Sequence, residues 1–226
     1  MIPPLIVQQA VESGIGVIAI TDHNATANIE AVRKAAQGTD LVIWCGMELQ
    51  TVEEVHILCI FDSLDKALAL QAMVDAALPP VENNIDFFGE QFVVDATGDF
   101  IRREERLLLT STSLTIKDAW DRVTALEGLI IPAHVNRKAF GLLPMLGFVP
   151  VDTPFEFLEI SSHLTPDQAR ILYPQILDMP LIQNGDAHFL EDIRGLNSII
   201  VEELTTGEFR KAVLQQAGRS HSLLPK

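Results

Sequence analysis

The sequence has few of the residues on which several functional classes depend. Only two of its 226 residues are cysteines, Cys45 and Cys59, and both lie in apolar, strand-like runs. A disulfide framework needs more cysteines and an oxidising compartment. We therefore expect two buried free thiols and a cytoplasmic protein.

Basic residues are also scarce, because 16 Lys and Arg stand against 31 Asp and Glu, which gives a formal net charge of −15. Proteins that bind duplex DNA neutralise its phosphates with clustered Lys and Arg, so this balance argues against a duplex DNA partner. A small phosphorylated substrate is not excluded, since part of the acidity can belong to carboxylates that bind cations.

Long hydrophobic runs are absent as well. Hydrophobic residues make up 48% of the chain, yet no run approaches the roughly 20 residues that span a bilayer. The sequence also lacks a basic start followed by an apolar segment and a cleavage site. We expect no membrane segment and no secretory signal, and we interpret residues 1–226 as a single domain.

Short apolar runs alternate with amphipathic segments along most of the chain. The predicted strands cover residues 17–21, 41–45, 55–61, 129–132, 155–160, 181–184 and 198–201. The predicted helices cover residues 5–13, 25–37, 64–77, 115–127, 166–177 and 206–216, with Thr205 or Thr206 as the N-cap of the last one. This alternation predicts parallel strands joined by crossover helices.

Residues 80–113 depart from the alternation. Pro79 and Pro80 end the preceding helix, and residues 92–94 and 100–101 have the pattern of a hairpin around Gly98. About 30 residues are too few for an independent core. We therefore interpret this segment as an insertion and not as a second domain.

Side chains that can bind metals follow four of the apolar runs. They are His23, Glu48, His134 and the pair Asp186 and His188. In (β/α) barrels the catalytic groups lie at the carboxyl ends of the strands, so we expect these side chains to converge. Imidazoles and carboxylates suit Zn²⁺, Mn²⁺ or Fe²⁺, and the lack of a cysteine cluster argues against a structural zinc site. A single histidine beside a carboxylate is typical of a capped turn, whereas metal-binding side chains after four different strands favour a metal site.

The other histidines lie in less informative positions. His56 is near the start of the run 55–61, where a core histidine and a metal ligand both fit. Its nearness to the Glu48 segment favours a ligand. His163 precedes a helix start and His221 lies in a polar tail, so we expect both at the surface.

The order of four motifs resembles PHP domains, the polymerase and histidinol phosphatase superfamily. These motifs are T-D-H-N at 21–24, G-M-E at 46–48 with E-V-H at 54–56, P-A-H at 132–134, and G-D-A-H at 185–188. The resemblance covers nearly the whole chain. Within the superfamily, the chain is similar to a bacterial stand-alone subfamily of predicted phosphoesterases. This resemblance implies a distorted (β/α)7 barrel with two or three divalent metal ions, Mn, Zn or Fe, at its mouth.

The resemblance also implies a role for each motif residue. Glu48 resembles a carboxylate that bridges two metals. His56 and His134 resemble the imidazoles that complete one of those sites. His23 and His188 resemble ligands of another site.

Three acidic or basic residues extend this implied site. Asp186 resembles a ligand of the site that it shares with Glu48, and either Asp186 or a nearby histidine is a candidate for moving a proton during catalysis. Asp22 is a candidate for orienting a ligand. Arg137 is a candidate for binding a substrate phosphate with two hydrogen bonds, with a solvent-exposed salt bridge as the alternative.

The implied function is metal-dependent hydrolysis of a phosphate ester in a nucleotide, a short oligonucleotide or a small molecule. A non-catalytic metal-binding module with the same fold is one alternative. A hydrolase of the amidohydrolase type is another, although such enzymes commonly carry a carboxylated lysine and no lysine ends a strand here. The sequence gives no indication of an oligomeric state.

The start of the chain departs from the PHP pattern. PHP proteins begin with a strand that carries H-x-H, whereas residues 1–5 already resemble a later helix and no histidine precedes His23. A late gene start or a truncation explains this better than a true loss of the strand, which would expose unpaired edges and apolar surface. We expect weak or no activity from this polypeptide. Equal activity with Mn²⁺ in a version extended upstream would contradict that expectation.

Overall fold

The structure, a computed structural model, describes residues 1–224 as a mixed α/β fold. The helices are α1 (Pro3–Glu12), α2 (Ile29–Ala35), α3 (Leu64–Ala77), α4 (Ile85–Phe88), α5 (Ile116–Ala125), α6 (Leu142–Leu146), α7 (Pro166–Leu172) and α8 (Thr206–Val213). The strands are β1 (Val17–Ile20), β2 (Val42–Gln50), β3 (His56–Phe61), β4 (Phe92–Val94), β5 (Phe100–Arg103), β6 (Leu129–Pro132), β7 (Leu158–Glu159), β8 (Leu181–Ile182), β9 (Asn197–Ile200) and β10 (Ser220–Leu223).

The central sheet has the strand order β1-β2-β3-β6. Strands β1 and β2 are parallel, as predicted, but β3 runs antiparallel to both β2 and β6. The prediction of parallel strands was wrong here because residues 51–55 are too few for the crossover of about a dozen residues that a parallel pair needs. The start of β3 therefore lies at the same edge of the sheet as the ends of β1, β2 and β6.

Strand β2 is longer than the sequence pattern predicts. It continues through Gln50, so Glu48 lies inside the strand and does not follow it. The extension forms because residues 45–50 of β2 pair with residues 56–61 of β3. All six residues of β3 are buried, which explains why its sequence is almost continuously apolar.

Three other strand pairs lie outside the central sheet. Strands β4 and β5 form the antiparallel hairpin that was expected within the insertion. The pair β7 and β8 is parallel, and β9 and β10 are antiparallel. Within residues 1–224 the strands do not close into one sheet, so the expected (β/α)7 barrel is not confirmed.

Two clusters of buried side chains cover the two faces of the central sheet. Along β3, Ile57 and Cys59 belong to one cluster and Leu58 and Ile60 to the other, as the alternation of a strand requires. The first cluster includes residues of helices α1, α2, α3 and α5. The second includes Phe209 of α8. Burying a side chain of this size contributes about 1.5–3 kcal/mol.

Polar residues set the limits of several helices. The side chain of Ser63 caps α3 by accepting a hydrogen bond from the backbone N–H of Lys66. Thr205 caps α8 in the same way, which confirms it as the N-cap. Helix α7 ends at Leu172, earlier than the predicted 177, and a short 3₁₀ turn follows at Pro174–Ile176. Pro174 has no N–H with which to continue an α-helix.

The remaining global expectations concern the cysteines and the membrane. Cys45 and Cys59 are both free and buried, as expected. Among residues 1–224, no helix combines the length and apolar character that crossing a bilayer requires. Residues 225 and 226, the last of the domain expected over 1–226, lie outside the described residues.

Candidate metal centre

The loop after β1 runs alongside β2 and brings His23 next to Glu48. His23 and Glu48 pair in an isolated parallel bridge. The backbone N–H of Glu48 donates to the carbonyl of Asp22 (3.2 Å), and the N–H of Asn24 donates to the carbonyl of Glu48 (3.0 Å). The T-D-H-N motif is thus held by backbone hydrogen bonds in register with the strand that carries Glu48.

Three imidazoles surround the carboxylate of Glu48. Nδ1 of His56 lies 2.9 Å from Oε1 of Glu48, and Nε2 of His134 lies 3.2 Å from the same oxygen. Nδ1 of His23 lies 3.4 Å from the other oxygen, Oε2. The Glu48 side chain is only 8% exposed, so these contacts form largely away from water.

His56 reaches this cluster because β3 is antiparallel to β2. It is the first residue of β3, and it pairs with Gln50 near the end of β2. Because β3 is antiparallel, its first residue lies at the edge of the sheet where β1, β2 and β6 end. Of the two readings that the sequence left open, the structure places His56 among the candidate ligands.

His134 occupies a tight turn immediately after β6. Its φ angle is +29°, in the left-handed region, where a non-glycine residue costs about 1–2 kcal/mol. Hydrogen bonds on both sides hold the turn: Arg137 N–H donates to the carbonyl of His134 (2.8 Å), and Val135 N–H donates to the carbonyl of Glu159 (2.8 Å). This conformation directs the imidazole of His134 to Glu48.

Asp186 and His188 lie on the loop after β8, at the exposed side of the cluster. The guanidinium of Arg137 donates to Oδ2 of Asp186 (3.1 Å), and Nδ1 of His188 lies 2.8 Å from the backbone carbonyl of Asp186. The ring of His188 is 6.2 Å from that of His23, although its side chain is 55% exposed. The structure therefore places the six predicted metal ligands and Arg137 in one region, with His188 and Arg137 on its exposed side.

A glycine allows the loop that carries Asp186 to close on itself. A Cβ atom at Gly185 would lie 2.0 Å from the backbone oxygen of Asp192, which no side chain tolerates. The next residue, Asp186, has a φ angle of +48°. The glycine of the G-D-A-H motif is thus required by the path of the backbone.

The cluster fits a divalent metal ion. Among residues 1–224, Nε2 of His56 and Nδ1 of His134 are buried without a hydrogen-bond partner. Nδ1 of His56 and Nδ1 of His23 face the carboxylate of Glu48 at 2.9 and 3.4 Å but lack hydrogen-bond geometry. Buried polar atoms normally have a partner, so such atoms around a carboxylate indicate a ligand. Neutral imidazole and carboxylate are ligands that Zn²⁺, Mn²⁺ and Fe²⁺ share.

The spacing of the donor atoms comes close to that of a metal site. One potential ligand atom from each of His23, Glu48 and His56 lies within 4.8 Å of the others, and the same holds for Glu48, His134 and Asp186. Ligands at about 2.0–2.2 Å from one ion lie up to about 4.4 Å apart. Glu48 belongs to both groups. The resemblance instead grouped His56 with His134, so the distribution of ligands between individual ions stays a prediction.

Electrostatics favour the metal-binding protonation state of two of the candidate ligands, Glu48 and His23. Burial by itself would raise the pKa of Glu48, but contacts with His134 and His56 and the proximity of His23 outweigh burial and lower it. Burial lowers the pKa of His23, partly opposed by Glu48. Glu48 is therefore ionised and His23 neutral near pH 7, which are the protonation states that bind metal.

Glu159, at the end of β7, is an acidic residue near the site that the sequence analysis missed. It is 2% exposed, and its Oε2 accepts a hydrogen bond from Asn184 (2.8 Å). Burial, together with the charges of Glu48 and Asp186, raises the pKa of Glu159 to about 7. Glu159 lies one residue before the end of the predicted strand 155–160, whereas His134 follows its strand, so the strand-end pattern did not select Glu159.

Three other expectations have different outcomes. The Asp22 carboxylate accepts a hydrogen bond from Asn28 (3.1 Å), so its expected role in orienting an imidazole stays a prediction. His163 is exposed, as expected. The expectation of a surface position for His221 was wrong, because it lies half-buried in β10 and its Nε2 is 3.0 Å from Oδ1 of Asn197.

Comparison with solved structures shows the fold. A lesion-specific endonuclease from Pyrococcus furiosus matches with a TM-score of 0.67 and 21% identity over 96% of this chain and 52% of that chain. Endonuclease Q in complex with a 27-mer duplex containing an abasic lesion matches with a TM-score of 0.64 and 20% identity over 96% and 52% of the two chains. The chain thus spans about half the length of these endonucleases.

A third similar structure is close to this chain in length. It is a proposed metal-dependent phosphoesterase from Bifidobacterium adolescentis, with a TM-score of 0.54 and 18% identity over 96% of this chain and 91% of that chain. A two-domain protein from Bacteroides vulgatus that contains a predicted PHP-like metal-dependent phosphoesterase matches with a TM-score of 0.53 and 14% identity, over 99% of this chain and 62% of that chain. No family model matches the sequence, and no curated protein matches it significantly. The chain has the fold of these PHP-like proteins.

Proposed function

We propose that this chain is a metal-dependent hydrolase of phosphate esters, built as one PHP-like domain. The observation that carries the proposal is the buried carboxylate of Glu48 with His23, His56 and His134 around it. The unpaired ring nitrogens at this carboxylate are consistent with a metal centre. The similar fold of proposed metal-dependent phosphoesterases supports the reaction class.

The chain's own residues have distinct parts in the proposed reaction. His23, Glu48, His56, His134, Asp186 and His188 would hold the metal ions. Divalent cations supply charge that stabilises a transferring phosphoryl group and activates water. Arg137, beside Asp186 at the exposed side of the cluster, would bind a phosphate oxygen and orient the ester. Asp186 would accept or return a proton.

The proposed substrate is a small phosphorylated molecule or a short oligonucleotide. The net charge of −15 makes a long polyanion unfavourable without many bound cations. One similar structure was solved with duplex DNA containing an abasic lesion, so such a duplex belongs in the test. The absence of a duplex DNA partner and the cytoplasmic location both stay predictions.

The test is a substrate panel with metal-free protein reloaded with Mn²⁺, Zn²⁺ or Fe²⁺. The panel contains a phosphomonoester, a phosphodiester, a single-stranded oligonucleotide, a duplex with an abasic site and an amide. Hydrolysis of a phosphoester that depends on metal and is lost in Glu48→Gln supports the proposal. Because this polypeptide is expected to have weak activity, the panel is repeated with a version extended upstream. Metal binding without turnover in both versions would favour a non-catalytic module, and hydrolysis of the amide alone would favour an amidohydrolase.

A further inference from the structure

Phe140 holds both the backbone and the side chain of His56. The two rings are stacked, with their centroids 4.6 Å apart and their planes within 3° of parallel. The backbone carbonyl of Phe140 also accepts a hydrogen bond from the N–H of His56 (3.0 Å). No motif in the sequence pointed to Phe140.

The stacked ring of Phe140 orients the imidazole of His56, a task that a hydrogen bond usually performs for a histidine ligand. A histidine that binds a metal usually donates its other N–H to a carboxylate or a carbonyl, which fixes the ring orientation. Within the described residues 1–224, Nε2 of His56 has no hydrogen-bond partner, and Nδ1 faces the carboxylate of Glu48 at 2.9 Å without hydrogen-bond geometry. The ring of His56 is held by aromatic contacts instead: Phe140 on its face, and His23 and His134 edge-on at centroid distances of 5.0 and 5.3 Å.

The backbone at Phe140 is unusual for a bulky residue. Its φ angle is +62°, in the left-handed region that bulky side chains avoid. The neighbouring loop enforces this conformation: a Cβ atom at Gly141 would lie 2.2 Å from the carbonyl oxygen of Arg137, and Leu142 is fully buried. Strain that the surroundings maintain is common at functional sites.

We propose that Phe140 is a positioning residue for the metal centre. Its ring restricts rotation of the His56 imidazole and keeps Nδ1 beside Oε1 of Glu48. Phe140 thereby increases the affinity of the Glu48 and His56 pair for a divalent cation. This inference rests on the metal centre of the proposed function.

The experiment measures Mn²⁺ affinity by the electron paramagnetic resonance signal of free Mn²⁺. Phe140→Leu keeps an apolar side chain but removes the flat ring, and Phe140→Gly also relieves the left-handed strain. We expect both variants to bind Mn²⁺ at least about tenfold more weakly, the usual cost of losing a residue that orients a ligand. Phe140→Tyr keeps the stacked ring and should bind as the unmodified protein does.

Thermal unfolding separates positioning from general stability. Phe140→Gly should bind Mn²⁺ more weakly without a matching loss of thermal stability. If Phe140→Leu does not fold, Phe140→Gly alone tests whether Phe140 positions His56. Phe148→Leu, at a phenylalanine that is 56% exposed, is the matched control and should leave affinity unchanged. Equal affinity in Phe140→Leu, Phe140→Gly and the unmodified protein would overturn the inference alone. Failure of the unmodified protein to bind any of Mn²⁺, Zn²⁺ and Fe²⁺ would overturn the proposed function as well.

Discussion

Nδ1 of His56 lies 2.9 Å from Oε1 of Glu48, although the two residues belong to strands of opposite direction. Glu48 is two residues from the end of β2 and His56 opens β3, so the short connection between the strands folds them together. Nε2 of His134 lies 3.2 Å from the same oxygen. Glu48 is therefore the group on which the whole cluster depends.

Replacing Glu48 with Gln should abolish tight metal binding. The change keeps the size of the side chain but removes the negative charge that His23, His56 and His134 surround. We expect a loss of more than about a hundredfold in metal affinity, beyond the roughly 10–100-fold that is usual for a residue outside the ligand set. Metal content after dialysis, measured by mass spectrometry, checks this. Glu54→Gln, an exposed residue in the connection between β2 and β3, is the control and should retain full metal content.

The sequence predicted most elements because each carries a local signal. Helix α3 was predicted with its observed limits, and so was strand β6. Strand β10 was missed, because residues 220–223 have no apolar alternation and form a strand by pairing with β9. The direction of β3 also depends on tertiary pairing, so the alternation of apolar runs misjudged it.

The sequence predicted those site residues that follow an apolar, strand-like run. His23, His134 and Asp186 carry that signal in the sequence. Phe140 does not, because it acts through a stacked ring and a left-handed backbone, and neither leaves a pattern among its neighbours. Glu159 lies inside the predicted strand 155–160 together with a second glutamate, Glu156, and the two cannot be told apart before burial is known.

Replacing Arg137 with Gln should weaken substrate binding without destabilising the fold. Arg137 and Asp186 are 45% and 34% exposed, so their ion pair contributes less than about 1 kcal/mol to stability. We expect the KM for a phosphoester to rise about tenfold, since one hydrogen-bonded charge contact is worth about 1.5–3 kcal/mol. Steady-state kinetics test this, with the exposed neighbour Lys138→Gln as the control. An unchanged KM would show that Arg137 forms only a surface ion pair with Asp186 and does not bind the substrate.

Glu159 should make the metal-free protein less stable as the pH rises from about 4.5 to about 7. Burial first, and then the charges of Glu48 and Asp186, raise the pKa of Glu159 from its ordinary 4.5 to about 7 in the folded state. The folded state therefore holds a proton that the unfolded state releases in this range. The contribution is fully present below pH 4.5 and lost by about pH 7, and it amounts to at most about 3 kcal/mol.

Chemical unfolding of metal-free protein at several pH values tests this prediction. Glu159→Gln cannot ionise, so its stability should change less between pH 4.5 and 7 than that of the unmodified protein. Glu203→Gln, at an exposed glutamate, should keep the original pH dependence. Identical pH profiles for Glu159→Gln and the unmodified protein would show that Glu159 is not responsible.

Replacing Gly141 with Ala should distort the loop that carries His134, Arg137 and Phe140. A Cβ atom at this position would lie 2.2 Å from the carbonyl oxygen of Arg137 and 3.0 Å from that of His134. Both obstacles are backbone atoms, so the loop must move as a whole. We expect a loss of at least about 2 kcal/mol in the free energy of unfolding, together with weaker metal binding, because the same loop positions His134 beside Glu48.

Gly207 provides the matched control for this substitution. It lies in the first turn of α8, and a Cβ atom there would meet nothing within 4 Å. Gly207→Ala should therefore stabilise the protein by about 0.4–1 kcal/mol, because alanine restricts the unfolded chain. Urea unfolding of both variants, with Mn²⁺ affinity measured in parallel, gives the comparison. If Gly141→Ala and Gly207→Ala have the same free energy of unfolding and the same Mn²⁺ affinity, the loop around Gly141 is not the rigid support that its contacts indicate.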